Sequence, residues 1–226
     1  MRIAIFGAGG QGKVIVDLIC ALGNGEIVGF FDQNRTLEAV LEIKVLGTLD
    51  ELIGEWRSLS IDQAAIAIGD NRDRSRVYRR MVEAEIPVAT LVHPRAYVSP
   101  LATLGEAITV CAHAFIGPGT TVGNNCIVNT AVSIDHDCQI GDHVHVCPGA
   151  ALAGGVSIGS GSMIGTGANI IPGIRVGAFS VVGAGSAVVR DVPAYTTVAG
   201  VPARRLKGHE KNNRNSSSKE SDREER

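Results

Sequence analysis

The sequence predicts an α/β module followed by an all-β module, a parallel β-helix. Every sixth residue from Val92 to Val188 is Val, Leu or Ile, seventeen in an unbroken row. Hexapeptides led by an aliphatic residue are typical of a parallel β-helix, in which three hexads make one coil of eighteen residues. A column of glycines at that spacing supports the coil: Gly105, Gly123, Gly141, Gly159 and Gly177. We expect each to take a backbone angle that other residues avoid.

Before the repeat, the pattern is strand, glycine turn, helix. The β-branched run Arg2 to Phe6 ends at the turn Gly7 to Gly12, and a helical pattern from Val14 to Leu22 follows. A second apolar run, Ile27 to Phe31, ends at Asp32. Such a turn brings backbone N–H groups to a phosphate, and such an acid accepts a ribose hydroxyl.

The rest of this module predicts only half of a dinucleotide fold. A further strand, Ala64 to Ile68, and a basic helix, Arg72 to Met81, complete one Rossmann-like half-domain before the repeat begins. Because the module is only half of a dinucleotide-binding fold, it favours a nucleotide or nucleotide sugar over NAD as the ligand. Glycines that serve only a tight turn are the alternative.

Composition excludes some functional classes. A net charge of −2 and an aromatic content of 4% provide neither the basic surface nor the stacking platform of a nucleic-acid-binding protein. The five cysteines show no CxxC spacing and predict reduced packing residues. The apolar run at the N-terminus is too short for a signal peptide. No apolar stretch of the sequence is long enough to span a membrane, so we expect a cytoplasmic protein.

One corner of the repeat is irregular. The dipeptides at equivalent positions of successive coils are Pro118-Gly119, His136-Asp137, Gly154-Gly155 and Pro172-Gly173. Pro-Gly and Gly-Gly favour turns, whereas a turn does not need an imidazole beside a carboxylate. We therefore predict that His136 and Asp137 carry the chemistry, with Asp135 as a second acid and Gly154 leaving room for substrate. Alternatively, Asp137 tolerates a glycine-like conformation and His136 is an ordinary surface residue.

The histidines also raise the alternative of a metal site. Some β-helix enzymes hold zinc between subunits with three histidines, and His136, His143 and His145 are close in sequence. However, His143 and His145 are only two residues apart, and no histidine lies one or two coils from His136. We expect no metal.

An outward-facing column of the β-helix is mostly apolar. It consists of Thr109, Ile127, His145, Met163 and Val181. Apolar residues on an outer face need a cover. We expect that cover to be a partner subunit or the pantetheine arm of a ligand, in a homotrimer with its active sites between subunits.

The predicted boundaries divide the chain into four parts. Residues 1–91 form the nucleotide-sugar-binding module and residues 92–190 the β-helix. Residues 191–208 close its end with one turn or a short helix. Residues 209–226 are polar and highly charged, which predicts a disordered tail.

Six segments together resemble one family over nearly the whole chain. They are GAGGQGKV, FFDQN, AIAIGDN, LVHPRAYVSP, SIDHDCQIGDHVHV and AGVPARRL. In this order they are similar to the NeuD/PglD-type sugar acyltransferases, which combine a Rossmann-like half-domain with a left-handed β-helix. That family includes UDP-amino-sugar and perosamine N-acetyltransferases and sialic acid O-acetyltransferases.

The resemblance implies a role for particular residues. His136 corresponds to the proton acceptor, and Asp137, where the family often has Glu, to the acid that strengthens that base. The implied nucleotide-sugar contacts are Gly9, Gly10, Gln11, Asp32, Gln33 and Gly69, with Gln33 at a position that is often a second acid. The implied acetyl-CoA contacts are His145, Thr166 and Ala184, with Gly154 lining the channel.

These expectations combine into a function. The resemblance implies an acetyltransferase that moves acetyl directly from acetyl-CoA to the amino group of a UDP- or GDP-linked 4-amino sugar. Sugar O-acetylation, of the sialic acid kind, is the alternative within the class. A non-catalytic nucleotide-sugar-binding scaffold and a metal-dependent β-helix lyase are the alternatives outside it.

Overall fold

The computed structural model describes residues 1–206, which form an α/β module and a left-handed parallel β-helix. This is the fold class that the sequence predicts. The predicted disordered tail, 209–226, lies outside the described residues, as do the last two residues of the predicted closing segment. No helix among residues 1–206 has both the length and the apolar character needed to cross a membrane.

The α/β module has a five-stranded sheet with helices on both sides. Its strands are β1 (Arg2–Phe6), β2 (Glu26–Phe31), β3 (Ala39–Val40), β4 (Ile43–Gly47) and β5 (Gln63–Ile66). Its helices are α1 (Gly10–Leu22), α2 (Leu49–Glu55) and α3 (Asn71–Glu83). The strand order is β3-β4-β2-β1-β5, with β1 parallel to β2 and β5. The sequence pattern predicted β1, β2, β5, α1 and α3 but missed the β3–β4 hairpin and α2.

Strand β1 separates two cores because its side chains alternate between the faces of the sheet. Ile3 and Ile5 pack in the core beneath α1, with Phe30 of β2. Ala4 and Phe6 point to the opposite side, into the core beneath α2 and α3. All four β1 side chains are at most 2% exposed. The glycine turn after β1 is therefore held at the carboxyl edge of a sheet that is buried on both faces.

The β-helix consists of three faces built from two-residue strands. The first face contains β7 (Tyr97–Val98), β10 (Phe115–Ile116), β13 (Ser133–Ile134), β16 (Ala151–Leu152), β19 (Asn169–Ile170) and β22 (Ala187–Val188). The second face contains β8 (Thr103–Leu104), β11 (Thr121–Val122), β14 (Gln139–Ile140), β17 (Ser157–Ile158) and β20 (Arg175–Val176). The third face contains β6 (Leu91–Val92), β9 (Thr109–Val110), β12 (Ile127–Val128), β15 (His145–Val146), β18 (Met163–Ile164), β21 (Val181–Val182), β23 (Thr197–Ala199) and β24 (Arg204–Arg205).

The register confirms a coil of eighteen residues. Phe115 pairs with Ser133 on the first face, and Thr121 with Gln139 on the second, each eighteen residues on. The aliphatic residue that leads each hexad points inward, as Ile134 and Val146 do at 0% exposure. Burial of these stacked side chains stabilises the coil, at roughly 25 cal/mol for each Å² of apolar surface removed from water.

The glycine column has a different physical cause from the predicted one. Its members are not among the residues with positive φ. Instead, a Cβ built on Gly159 would lie 2.4 Å from the backbone nitrogen of Ala178, and one on Gly177 would lie 2.3 Å from that of Ala194. The prediction of an unusual backbone angle is therefore wrong. Close approach of the next coil excludes a side chain at this corner.

The α/β module covers part of the third face, and one buried arginine makes the joint. Arg74 of α3 is 1% exposed and donates five hydrogen bonds, all to oxygen atoms. Two go to the carbonyls of Asn125 and His143 on the β-helix, at 3.1 and 2.9 Å. Beside it, the Asn71 amide donates to the carbonyls of Gly161 and Ser162.

This joint corrects the expectation for three of the five residues of the outward column; Met163 and Val181 remain partly exposed. Thr109, Ile127 and His145 are buried within the single chain, at 6%, 1% and 9% exposure. Their cover comes from the chain's own α/β module rather than from a partner subunit or a pantetheine arm. The cause is the direct passage from the α/β module into β6, which places the module beside this face.

The end of the β-helix also differs from the prediction. The predicted turn or short helix is a hairpin, in which β23 pairs antiparallel with β24. β23 continues the third face by pairing parallel with β21. The hairpin thus caps the open edge of that face with one reversed strand.

Candidate active site

His136 and Asp137 form the irregular corner between the first and second faces. The His136 ring donates from Nδ1 to Oδ2 of Asp137 at 2.8 Å, because a carboxylate can only accept. Asp137 has φ +57°, the left-handed conformation of Gly119 and Gly155 at the equivalent corners. It therefore replaces a turn glycine, as the alternative explanation supposed, and also binds the imidazole.

The two acids beside His136 act differently. Asp135 accepts a hydrogen bond from the His136 backbone N–H at 2.8 Å and does not bind the ring. The pKa of His136 is raised, chiefly by the hydrogen bond to Asp137 and next by the negative charge of Asp135. Both effects stabilise the imidazolium. The ring is well exposed, so it is accessible to a substrate.

The position of the ring leaves Nε2 free over a glycine. A Cβ built on Gly154, in the next coil, would lie 2.4 Å from Nε2 of His136. The absence of a side chain at Gly154 is thus required for this ring position. With Nδ1–H held by Asp137, the neutral ring presents its Nε2 lone pair outward, which is the arrangement of a general base.

The predicted acetyl-CoA residues do not all lie together in one chain. Thr166 and Ala184 are exposed at the corner between the third and first faces, one coil apart. His136 and Gly154 lie at the corner between the first and second faces. The first face separates the two groups.

His145 lies on the third face, where both ring nitrogens are used within the chain. Nδ1–H donates to the Gly69 carbonyl at 3.2 Å, and Nε2 accepts from the Asn129 amide at 3.1 Å. Burial, followed by the charge of Arg74, lowers the pKa of His145 to about 4. The ring is therefore neutral near neutral pH, and it ties a predicted acetyl-CoA residue to Gly69, a predicted nucleotide-sugar residue.

The glycine turn divides into structural glycines and open ones. Gly7 has φ +108°, and a Cβ there would lie 2.5 Å from the Ala67 carbonyl oxygen; one on Gly12 would lie 2.5 Å from the Gly7 oxygen. A Cβ built on Gly9 or on Gly10 would meet no atom within 4 Å. The chain itself therefore requires Gly7 and Gly12, whereas Gly9 and Gly10 leave space for a ligand at the start of α1.

Two polar groups complete that turn. Helix α1 begins with no side-chain cap, so its first N–H groups point to open space. The Gln11 Nε2 atom is buried without a hydrogen-bond partner among the described residues. Such an unpaired donor is rare in proteins and fits a ligand that carries oxygen atoms.

Asp32 supports the turn directly. Its Oδ2 accepts from the Ala8 N–H at 2.7 Å, and its Oδ1 accepts from the Asn34 N–H at 2.8 Å. Each oxygen keeps a lone pair for a ligand. Gln33 is exposed beside it. The structure thus brings Asp32 to the glycine turn.

The histidines do not converge on a common point. His136 lies at a different corner from His143, and His145 is engaged with Gly69 and Asn129. Within residues 1–206, no group of three or more histidine, cysteine or acidic side chains has the arrangement of a metal site.

Sequence reasoning missed Arg74 and Asn129, which position the site. Arg74 donates to the same Gly69 carbonyl that accepts from His145. In the sequence Arg74 is one of five arginines in α3, and neither spacing nor composition distinguishes it. Asn129 interrupts the small and apolar residues of its corner, a signal of the kind that identified His136.

The depressed pKa of His145 predicts a specific loss of stability in acid. The folded state resists protonation of this ring, whereas the unfolded chain takes up the proton below its ordinary value of 6.5. The stabilisation is therefore complete above pH 6.5 and is lost as pH falls towards about 4. In thermal unfolding at fixed protein concentration, wild type should lose stability over this range more steeply than His145→Gln. Parallel curves for the two proteins would contradict the assignment.

Several known proteins are similar to this chain. A family model described as the PglD N-terminal domain matches residues 2–81. A histidine-to-asparagine variant of perosamine N-acetyltransferase from Caulobacter crescentus, solved with CoA and GDP-perosamine, is 36% identical with a TM-score of 0.88. The alignment covers 92% of this chain and 98% of that one.

Two further matches are of the same kind. The acetyltransferase domain of PglB from Neisseria gonorrhoeae FA1090 is 39% identical with a TM-score of 0.86, over 91% of this chain and 99% of that one. The UDP-N-acetylbacillosamine N-acetyltransferase of Bacillus subtilis is 39% identical over 117 residues, 49% of this chain and 51% of the relative. That match spans about half the length of the curated relative. With its half-domain, its β-helix and its His136 corner, the chain belongs to the NeuD/PglD-type family of sugar acetyltransferases.

Proposed function

We propose that the protein transfers acetyl from acetyl-CoA to the amino group of a nucleotide-linked 4-amino sugar. The observation that carries the proposal is the His136 ring, bound through Nδ1 to Asp137 and open at Nε2 above Gly154. The ligands of the relatives support the substrate classes. The Caulobacter crescentus enzyme was solved with CoA and GDP-perosamine, and the Neisseria gonorrhoeae domain with acetyl coenzyme A.

In the reaction, the neutral amine attacks the thioester carbonyl carbon and a C–N bond forms. His136 Nε2 accepts the proton that the amine loses, and Asp137 stabilises the resulting imidazolium. The tetrahedral intermediate collapses, the C–S bond breaks, and the imidazolium returns the proton to the departing CoA sulfur. General-base help of this kind contributes typically about 10²–10⁴ in rate.

The transfer is direct, without an acyl-enzyme. Cys138 is the cysteine closest to His136 in the sequence, but it is fully buried and its Sγ donates to the Ala153 carbonyl at 3.3 Å. Burial raises the pKa of Cys138, and it raises that of Cys126 to about 12. A buried thiol that stays protonated is a poor nucleophile.

The nucleotide part of the acceptor binds at the glycine turn. The open N-terminus of α1, the space at Gly9 and Gly10 and the unpaired Gln11 amide suit a diphosphate. Gly69 and Asp32 line the same edge of the sheet, with Gln33 beside them. In this proposal residues 1–91 hold the nucleotide sugar and residues 92–190 carry out the transfer.

The active site is completed by a neighbouring chain in a homotrimer. Thr166 and Ala184, the acetyl-CoA contacts, lie across the first face from His136 and Gly154. A threefold assembly with the first faces inward brings one chain's third–first corner against its neighbour's first–second corner. The exposed aromatic pair Tyr97 and Phe115 on the first face, stacked at 5.4 Å, supports burial of that face by partners.

Removal of the base tests the function. His136→Ala should lower kcat for an amino sugar by about 10²–10⁴-fold, the usual contribution of a general base, while the oligomeric state stays unchanged. Acetyl transfer is measured by release of the CoA thiol, with a nucleotide-linked 4-amino sugar and its 4-hydroxyl counterpart as separate acceptors. Near-normal turnover by His136→Ala, or a preference for the hydroxyl sugar, would contradict the proposal.

The raised pKa of His136 predicts the pH dependence. The base acts when deprotonated, so kcat should rise with pH and its limb should have an apparent pKa above the ordinary 6.5. Asp137→Asn removes the largest cause of the shift, so the limb should move to lower pH and the plateau rate should fall. Asp17→Asn, on the exposed surface of α1, is the matched control and should leave the profile in place. If Asp137→Asn also leaves the limb unmoved, Asp137 does not tune His136.

A further inference from the structure

A cavity of the α/β module contains one residue assigned so far, Gln33, and seven that are not assigned. Its volume is about 330 Å³, and it opens between α2 and α3 at the carboxyl ends of the strands. Its apolar walls are Phe6, Leu49, Ile68 and Val77. The other four lining residues are polar, and a cavity of this size that combines apolar walls with polar groups suits a small ligand.

This cavity adjoins the glycine turn. Phe6, one of its walls, directly precedes Gly7, and Gln33, another lining residue, directly follows Asp32. Asp32 in turn accepts from the Ala8 N–H of the turn. A nucleotide whose diphosphate binds at the start of α1 can therefore extend its base across the edge of the sheet into the cavity.

The polar side of the cavity combines a carboxylate with guanidinium groups. Asp73 and Arg76, one turn apart on α3, form an ion pair, and both line the cavity. Arg80 lines it too, and its ion pair with Asp50 of α2 measures 2.5 Å. Arg76 binds one oxygen of Asp73, so the other oxygen remains available to a ligand.

The four bases differ in how well their hydrogen-bond donors and acceptors match the carboxylate of Asp73 and the guanidinium of Arg76. Guanine presents two adjacent N–H donors, at N1 and N2, which suit a carboxylate, and acceptors at O6 and N7, which suit a guanidinium. Uracil has one free ring N–H between two carbonyl oxygens, so a carboxylate placed there meets an oxygen. Adenine and cytosine place a ring acceptor beside their amino group, which a carboxylate also repels.

We propose that this cavity binds the base of the nucleotide sugar and that Asp73 makes the site prefer guanine over uracil. The inference rests on the proposed function, because it places the diphosphate of the same ligand at the glycine turn. In it Asp73 accepts from N1–H and N2–H, Arg76 holds the carboxylate in position, and Phe6 and Val77 pack against the ring. The acceptor is then a GDP-linked amino sugar.

Binding of nucleoside diphosphates tests the proposal without any turnover. Titration calorimetry with GDP, UDP and ADP on the wild-type protein should give the tightest binding for GDP, by about tenfold or more, the usual discrimination of one bidentate base contact. Asp73→Asn should weaken the binding of GDP by a similar factor and leave the binding of UDP unchanged or tighter. Glu85→Gln, which removes a carboxylate of an exposed ion pair with Arg57, is the matched control and should bind all three as wild type does.

The outcomes separate the two proposals. The guanine assignment is overturned if UDP binds more tightly than GDP, or if Asp73→Asn weakens the binding of both nucleotides equally. Either result leaves the acetyltransferase proposal standing. Equal binding of GDP and ADP indicates a purine site in which Asp73 plays no part, which also overturns it. Failure of all three nucleotides to bind overturns the nucleotide site itself, and with it the proposed acceptor class.

Discussion

The buried guanidinium of Arg74 is the contact on which the arrangement of the two modules depends. A charged group at 1% exposure is costly to desolvate unless each of its donors is paired. Here five hydrogen bonds to oxygen atoms of both modules provide that pairing. Burial lowers the pKa of Arg74 only to about 10, so it remains charged at neutral pH. Separating the modules would leave the Arg74 charge partly unpaired. The free-energy cost of that loss holds the α/β module at one place on the β-helix.

That placement determines which residues one chain can bring together. The Gly69 carbonyl accepts from both Arg74 and His145, so the edge of the sheet proposed to bind the nucleotide sugar is fixed against the third face. Thr166 and Ala184 lie at the adjoining corner, whereas His136 lies across the first face. In the proposed function, one chain therefore offers the nucleotide site near its own acetyl-CoA corner, whereas the first face separates that corner from its own His136. The regular coil places these groups, and we propose that the irregular His136–Asp137 corner supplies the chemistry, which a fold alone does not define.

The features that could be predicted from the sequence are those whose signal lies in neighbouring residues or in residues at a fixed spacing. The hexad pattern and the coil of eighteen could be found because each residue's role depends on its neighbours at fixed spacing. The His136–Asp137 corner stood out against that regular background. Arg74 could not be found, because its partners Asn125 and His143 are distant in the sequence. The β3–β4 hairpin and helix α2, which begins with a capping box of Thr48 and Glu51, are local features that the sequence analysis overlooked. The glycine column was identified for the wrong reason, since only the packing of successive coils shows that a Cβ at Gly159 would meet Ala178. The covered third face was missed because a column of apolar residues does not indicate what covers it.

The central claim is that the active site is shared between chains, and co-expression of two defective chains tests it most directly. One chain carries His136→Ala, and the other carries Thr166→Trp, which blocks the acetyl-CoA corner; each alone should be inactive. If the site combines one chain's Thr166 corner with its neighbour's His136, random mixed trimers restore about a quarter of the sites, by simple counting over a symmetric assembly. Acetyl transfer near that fraction of wild type is the predicted result. No recovery in mixed trimers, shown by two affinity tags to contain both chains, would contradict the account.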